Sequence, residues 1–313
     1  EINLSAMAPW AVGVLVLLMV ATQMREIQQS KRIDLADDRL PIENRIKRLF
    51  DLRAQGGESA ISELKTGMGS SSVLLRHEVA YVLGQMQHPS AVPSLIEILE
   101  NTQEHPIVRH EAAEAIAALG VPGTEKVLEK FSVSGPPEVS DTCQLALQTL
   151  RWRFKQGHKE NQTRSKHLSV DPAPPSDVRD MRKLENMLLN AKISMFDRYR
   201  AMFRLREMNC EKAVQVLGRA LNDTSAVLRH EVAFVLGQMR NPSGIEYLHD
   251  LLKNTSEHAM VRHEAAEALG SISTKKCYDI LGRYRQDACR MVRESCDVAL
   301  DMCRDWTLPG SER

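Results

Sequence analysis

The sequence contains few aromatic residues and no paired cysteines of the C-x-x-C type. Tyr, Trp and Phe make up 4% of its 313 residues, and alanine, leucine, valine and methionine fill most apolar positions. This composition favours helices packed through small and straight-chain side chains over a β-sandwich. A disulfide framework is not expected at this length, so we interpret the six cysteines as reduced thiols.

The chain also lacks an excess of either charge. Basic and acidic residues number 41 each. Because no basic excess and no recognition motif is present, nucleic acid is not an expected partner.

No apolar run reaches the ~20 residues that a membrane-spanning helix usually needs. The longest candidate, residues 7–22, carries no charge and precedes Arg25, Lys31 and Arg32. Basic residues after the run suit a short N-terminal anchor with the body on the cytoplasmic face of a membrane. An aberrant start of a cytoplasmic protein explains the same stretch, and the sequence leaves both interpretations open.

The tripeptide Arg-His-Glu is present four times. Its histidines are His77, His110, His230 and His263, so that two pairs spaced by 33 residues are themselves 153 residues apart. Self-similarity at a period of roughly 20 to 50 residues is the mark of a stacked-repeat solenoid. We therefore predict an all-α protein of two pseudo-symmetric halves.

Each half is predicted to contain about four helical hairpins, with two plain outer units flanking two units that carry the tripeptide. The predicted divisions are an N-terminal extension (1–40), a first half (41–155), a linker with prolines (156–180) and a second half (181–308). The outer units lack histidine in the register of the inner ones, which suits capping repeats.

The His-Glu pairs indicate a metal site. Burying two adjacent ionisable groups is costly unless each is paired or bound to a metal, and packing alone requires neither residue type. Neighbouring helices lie about 8–10 Å apart, so His77 and His110 can reach one ion, as can His230 and His263. Two imidazoles and one carboxylate with open positions form the ligand set of non-haem Fe(II) sites that activate oxygen. The H-E-x-x-H pattern of zinc proteases is absent from the sequence.

The sequence resembles the deoxyhypusine hydroxylase family over about residues 41 to 304. The resemblance is carried by RHEVAYVLGQM, RHEAAEALG, LSVDPAPP from Leu168, RYRAMFRLR from Arg198 and VRESCDVALDM from Val292. It implies a HEAT-like helical-repeat solenoid that holds two irons and uses O2. It also implies hydroxylation of the deoxyhypusine side chain on translation initiation factor 5A, which completes hypusine, with an unidentified reductant.

The resemblance further implies roles for eight residues. One iron would be held by His77, His110 and Glu111, and the other by His230, His263 and Glu264. Glu78 and Glu231 would hold the substrate, which has physical sense because deoxyhypusine is a cationic polyamine. Glu114 and Glu267 stand one helical turn beyond a histidine, and the sequence leaves open whether they orient imidazoles or are solvated surface acids.

Two other functions remain as alternatives at this point. A HEAT-type scaffold would bind a protein partner without catalysis, as helical solenoids often do. A protein similar to bilin lyases would share the short helical repeats. Neither alternative requires the His-Glu register, so metal content discriminates between them and an oxygenase.

Overall fold

The computed structural model describes residues 33–156, 167 and 169–303. These residues form fifteen α-helices, three short 3-10 helices and no β-strand. The predicted all-α fold is therefore confirmed. The apolar stretch 7–22 lies outside the described residues, and within them no helix is long and apolar enough to cross a membrane.

The first half contains seven α-helices: α1 (Ile42–Gln55), α2 (Gly57–Thr66), α3 (Val73–Gln85), α4 (Val92–Glu100), α5 (Pro106–Leu119), α6 (Glu125–Ser132) and α7 (Pro137–Gln156). The second half contains eight: α8 (Met181–Leu189), α9 (Met195–Met208), α10 (Glu211–Ala220), α11 (Ala226–Met239), α12 (Ile245–Lys253), α13 (Ala259–Ile272), α14 (Lys275–Tyr284) and α15 (Arg290–Met302). In the second half they pair into four hairpins, and in the described first half three hairpins follow α1.

The odd-numbered helices form the inner layer of the molecule. Each packs against the next inner helix within its half, and the tripeptides lie on α3, α5, α11 and α13. The layer also closes on itself, since α7 contacts α9 and α11 while α15 contacts α1 and α3. The two halves therefore meet along two edges and enclose a central space.

Two serines begin the first signature helix of each half and also join the halves. Ser72 and Ser225 are the N-caps of α3 and α11, and each accepts a backbone N–H from the first turn. The Ser72 hydroxyl donates to Glu294 of the other half at 2.7 Å. At the opposite edge, the Ser225 hydroxyl donates to Asp141 at 3.2 Å. The two edges are thus held by equivalent contacts.

Glycine sets the spacing of the signature helices. A Cβ atom at Gly84 would lie 2.7 Å from the Cβ of Ala115, and one at Gly237 would lie 2.8 Å from the Cα of Ala268. A side chain at either position would push neighbouring helices apart. This close approach brings the histidines of adjacent repeats within reach of each other.

The described part of the predicted linker is packed between the halves. Ser169 and Val170 are buried. The backbone N–H of Val170 donates to Gln85 Oε1 at 2.8 Å, and Gln238 Nε2 donates to Ser169 Oγ at 3.0 Å. Gln85 and Gln238 occupy equivalent positions on α3 and α11, so one glutamine from each half holds the segment. The division of the chain at residues 156–180 remains a prediction.

Candidate metal centre

Four inner helices bring the four tripeptide histidines into one cluster. The ring centroids are 6.4 Å apart for His77 and His110, and 5.4 Å apart for His230 and His263. Across the halves the separations are 5.1 Å for His77 and His263, and 5.5 Å for His110 and His230. All four side chains are buried. The imidazoles of both halves therefore form a single buried group.

Two carboxylates lie against these imidazoles. Glu111 Oε2 is 3.3 Å from His77 Nε2 and 3.8 Å from His110 Nε2. Glu264 Oε2 is 3.3 Å from His230 Nε2. In each half, the glutamate of the second tripeptide thus lies beside the imidazole of the first tripeptide. The structure brings together all six residues that the sequence predicts as metal ligands.

The donor atoms of this cluster suit metal ions. The Nε2 atoms of His110, His230 and His263 are buried and have no hydrogen-bond partner among the described residues. Ligand atoms of His230, His263 and Glu264 lie within 4.8 Å of one another, as do those of His77, His110 and His230. Buried imidazole nitrogens without partners are costly, and coordination would satisfy them.

The protonation of three of the four imidazoles fits the same interpretation. Burial lowers the pKa of His110 to about 4 and the pKa of His230 and His263 well below the ordinary value, so these rings favour the neutral form. Burial also acts to lower the pKa of His77, but hydrogen bonds to Glu111 and Glu78 outweigh it and raise that pKa. A neutral imidazole is the form that binds metal.

The two predicted substrate-holding acids lie at the edge of the cluster. Glu78 Oε1 is hydrogen-bonded to His77 Nδ1 at 3.0 Å. Glu231 Oε1 is buried and has no hydrogen-bond partner in the described part of the chain. Burial, with the nearby carboxylates of Glu114 and Asp171, raises the pKa of Glu231. An ammonium group beside it would supply the missing partner.

The cluster opens into a cavity of about 1280 Å³. Its lining includes nine carboxylates: Glu43, Asp51, Glu78, Glu111, Glu114, Glu231, Glu264, Glu267 and Asp301. The lining also contains Lys47, which is paired with Asp301 at 2.5 Å. Tyr81 and Phe234 provide an apolar wall, with their rings edge to face at 6.3 Å. An acidic cavity with an aromatic wall suits a ligand that is both cationic and aliphatic.

Four further residues belong to this site. Glu114 and Glu267 both line the cavity. Thr142 and Ser295, which the sequence reasoning did not select, lie behind the imidazole cluster and are buried. A signal for them was present, because they stand 31 residues after Glu111 and Glu264, in the acid position of the outer repeats.

The chain matches the HEAT-repeat family over residues 57–148, 197–269 and 214–301. Deoxyhypusine hydroxylases of zebrafish (Danio rerio) and human (Homo sapiens) are both 44% identical to it, over 270 and 268 residues; each alignment covers 86% of this chain and 88% of the relative. The Drosophila melanogaster enzyme is 45% identical over 264 residues, which are 84% of this chain and 87% of the relative.

The fold agrees with these sequence relatives. The structure of human deoxyhypusine hydroxylase in complex with glycerol superposes with a TM-score of 0.85 at 41% identity, covering 92% of this chain and 99% of that one. Sequence identity of this extent, together with the same helical architecture, shows that the chain belongs to the deoxyhypusine hydroxylase family.

Proposed function

We propose that the chain hydroxylates the deoxyhypusine side chain of translation initiation factor 5A and thereby completes hypusine. The reaction takes one oxygen atom of O2 into a C–H bond, while two electrons and two protons from a reductant convert the other atom to water. The observation that carries the proposal is the buried cluster of four imidazoles with the carboxylates of Glu111 and Glu264 lying against it. The family relationship supports the substrate.

Two irons are the metal ions that this donor set supports best. His77, His110 and Glu111 would hold one, and His230, His263 and Glu264 the other, because each set is two imidazoles and one carboxylate. When bound, the irons supply the activation of O2. The protein supplies buried imidazoles and buried carboxylates in fixed positions.

The cavity walls are proposed to bind the substrate. Glu78 and Glu231 would accept hydrogen bonds from its ammonium groups, which are stronger in a partly desolvated site than at the surface. Tyr81 and Phe234 would pack against the methylene groups between the two charges. The side chain of a folded substrate protein would enter past α1, whose residues Glu43 and Asp51 line the same cavity.

A non-catalytic scaffold is the competing function. The two are separated by loading the purified chain with Fe(II) without oxygen, measuring iron per chain, and adding O2, a reductant and factor 5A that carries deoxyhypusine. An oxygenase gives two irons per chain and a gain of one oxygen atom in the mass of the modified peptide. A scaffold binds factor 5A with neither iron nor a change in mass.

The matched control is His249→Ala. His249 is hydrogen-bonded to Tyr284 at 3.1 Å, away from the imidazole cluster. This variant should keep its iron and its product. Replacing any one of the four clustered histidines by alanine should lower the iron content. If His249→Ala lowers it as much, the loss comes from general unfolding and the ligand assignment is wrong.

A further inference from the structure

The residues next to the second tripeptide histidine differ between the two halves. His110 and His263 are equivalent histidines, 153 residues apart, on α5 and α13. Their Nε2 atoms face the cluster, so the support of each ring depends on its Nδ1 atom. A group that fixes the Nδ1 atom also fixes the orientation and the tautomer of a metal-binding imidazole.

In the first half, this support is a neutral hydroxyl group. His110 Nδ1 lies 2.6 Å from Thr142 Oγ1. The Thr142 hydroxyl lies 2.8 Å from the backbone carbonyl oxygen of Glu138, which can only accept, so the threonine proton is directed to that carbonyl. The threonine oxygen must then accept the Nδ1–H of His110. This arrangement leaves the Nε2 lone pair free to bind a metal ion.

In the second half, a carboxylate lies near the equivalent nitrogen atom. The position equivalent to Thr142 is Ser295, whose hydroxyl donates to Glu267 Oε1 at 3.0 Å. The same carboxylate oxygen lies 3.7 Å from His263 Nδ1. His263 Nδ1 has no hydrogen-bond partner among the described residues. Glu267 is therefore the acceptor best placed to take its proton, and Ser295 holds that acid in place.

We propose that Thr142 and Glu267 are positioning residues that make the two metal sites unequal, with the second-half site binding metal more tightly. A carboxylate behind a metal-binding imidazole raises the basicity of the ring and strengthens its bond to the metal. A threonine oxygen orients the ring without adding a negative charge. This inference rests on the metal ligands named under the proposed function and adds a difference between their two sites.

Single-site chains allow each half to be measured alone. A His263→Ala chain retains the first-half site and a His110→Ala chain retains the second-half site. Each is stripped of metal and titrated with Co(II), whose visible absorption reports its ligand geometry. We expect the His110→Ala chain to bind Co(II) more tightly, and Glu267→Gln in that chain to remove the difference. Equal affinities of the two single-site chains would overturn the inequality.

The threonine is tested in the His263→Ala chain. Thr142→Val should lower Co(II) affinity by about 10–100-fold and alter the Co(II) spectrum, and Thr142→Ser should restore both. Thr149→Val is the matched control, since Thr149 is a buried threonine of the same helix bonded to the carbonyl of Pro172 at 2.6 Å. It should leave the spectrum unchanged.

Two negative results have different meanings. If the parent chain binds neither Co(II) nor Fe(II), the proposed function fails together with this inference. The other result is a parent chain that binds both metals while Thr142→Val binds Co(II) as tightly as its own parent, or while Thr142→Ser fails to restore binding. In that case only the positioning role is overturned. Circular dichroism of each variant confirms that the helices are retained in the comparison.

Discussion

The two halves have the same His-Glu pairs but support the adjacent arginines differently. Arg109 and Arg262 each donate through Nε to a carbonyl of the preceding helix, at 2.9 and 3.0 Å. Arg262 is also paired with Asp287 at 2.6 Å, with both side chains buried. The equivalent position in the first half is Ser134, and Arg109 instead lies 5.0 Å from the ring centre of Phe131.

This difference changes the electrostatics of the two guanidinium groups. The hydrogen bond that Arg262 donates to Asp287 raises the pKa of Arg262, whereas burial lowers the pKa of Arg109. The two halves thus place identical His-Glu pairs by different means, through an ion pair in one half and a cation–π contact in the other. The pseudo-symmetry is therefore close at the proposed ligands and weaker one layer behind them.

The largest effect is expected from breaking the ligand symmetry. His110→Ala or His263→Ala should each lower iron from two ions per chain to one and abolish hydroxylation, because both irons are proposed to act on one O2 molecule. Iron analysis and the mass of the modified peptide measure the two effects. A variant that retained both irons would contradict the assignment of that histidine as a ligand.

The next effect concerns the buried ion pair of the second half. Asp287→Asn should cost about 3 kcal/mol in the free energy of unfolding, since it leaves the buried guanidinium of Arg262 without its charge partner. Phe131→Leu in the first half should cost less, because it removes a cation–π contact but no ion pair. Denaturant unfolding of both variants would show the order, and equal losses would contradict it.

This ion pair also gives the second half a pH dependence. The Arg262 guanidinium holds the pKa of Asp287 below its ordinary value of 3.8. The stabilisation is therefore fully present above about pH 4 and is lost as the pH falls through the lowered pKa. We expect the stability difference between the parent and Asp287→Asn to shrink in acid. A difference that stayed constant from pH 7 to pH 3 would show that Asp287 contributes no charge effect.

A smaller loss of stability is expected when the spacing between two helices is changed. Gly237→Ala should cost about 1–3 kcal/mol, because its Cβ would lie 2.8 Å from the backbone of Ala268 and separate α11 from α13. Gly244→Ala is the control, since its Cβ would meet Leu236 at an ordinary 3.6 Å. Thermal unfolding compares the two variants. If both have the same midpoint, helix approach at Gly237 is less tight than the structure indicates.

The smallest effect comes from making the first half resemble the second. Ser134→Asp places a carboxylate at the position equivalent to Asp287 and should stabilise the chain by up to about 1 kcal/mol through Arg109. The same substitution in an Arg109→Met chain should give no gain. A stabilisation that survived the loss of the guanidinium would come from another cause.

Much of the fold and of the clustering of the proposed ligands follows from the sequence because both are repeated. The register that places His77 on an inner face also places His110, His230 and His263 there, so four copies of one pattern predict one cluster. The supports of the imidazoles do not repeat. Thr142 bonds directly to a ring, whereas Ser295 bonds to Glu267, and this difference depends on side-chain geometry that the repeat does not specify.

The contacts between the halves also could not be predicted from the sequence pattern. The pairs Ser72–Glu294 and Ser225–Asp141 join residues more than 80 positions apart, and no local period links them. The packing of Ser169 and Val170 was missed for a similar reason. A stretch with prolines predicts a linker, but the glutamines that contact it lie in other helices.

The closed inner layer has a consequence for how the architecture can vary. An open solenoid gains or loses a unit at its end without disturbing the others. Here the last of the described helices, α15, packs on the first of them, α1, so that a hairpin added between them would have to open that junction. Insertion would also widen the circle and move opposing histidines out of reach. The closed arrangement therefore fixes the number of repeats. Insertions and deletions are confined to the loops and the outer layer of helices.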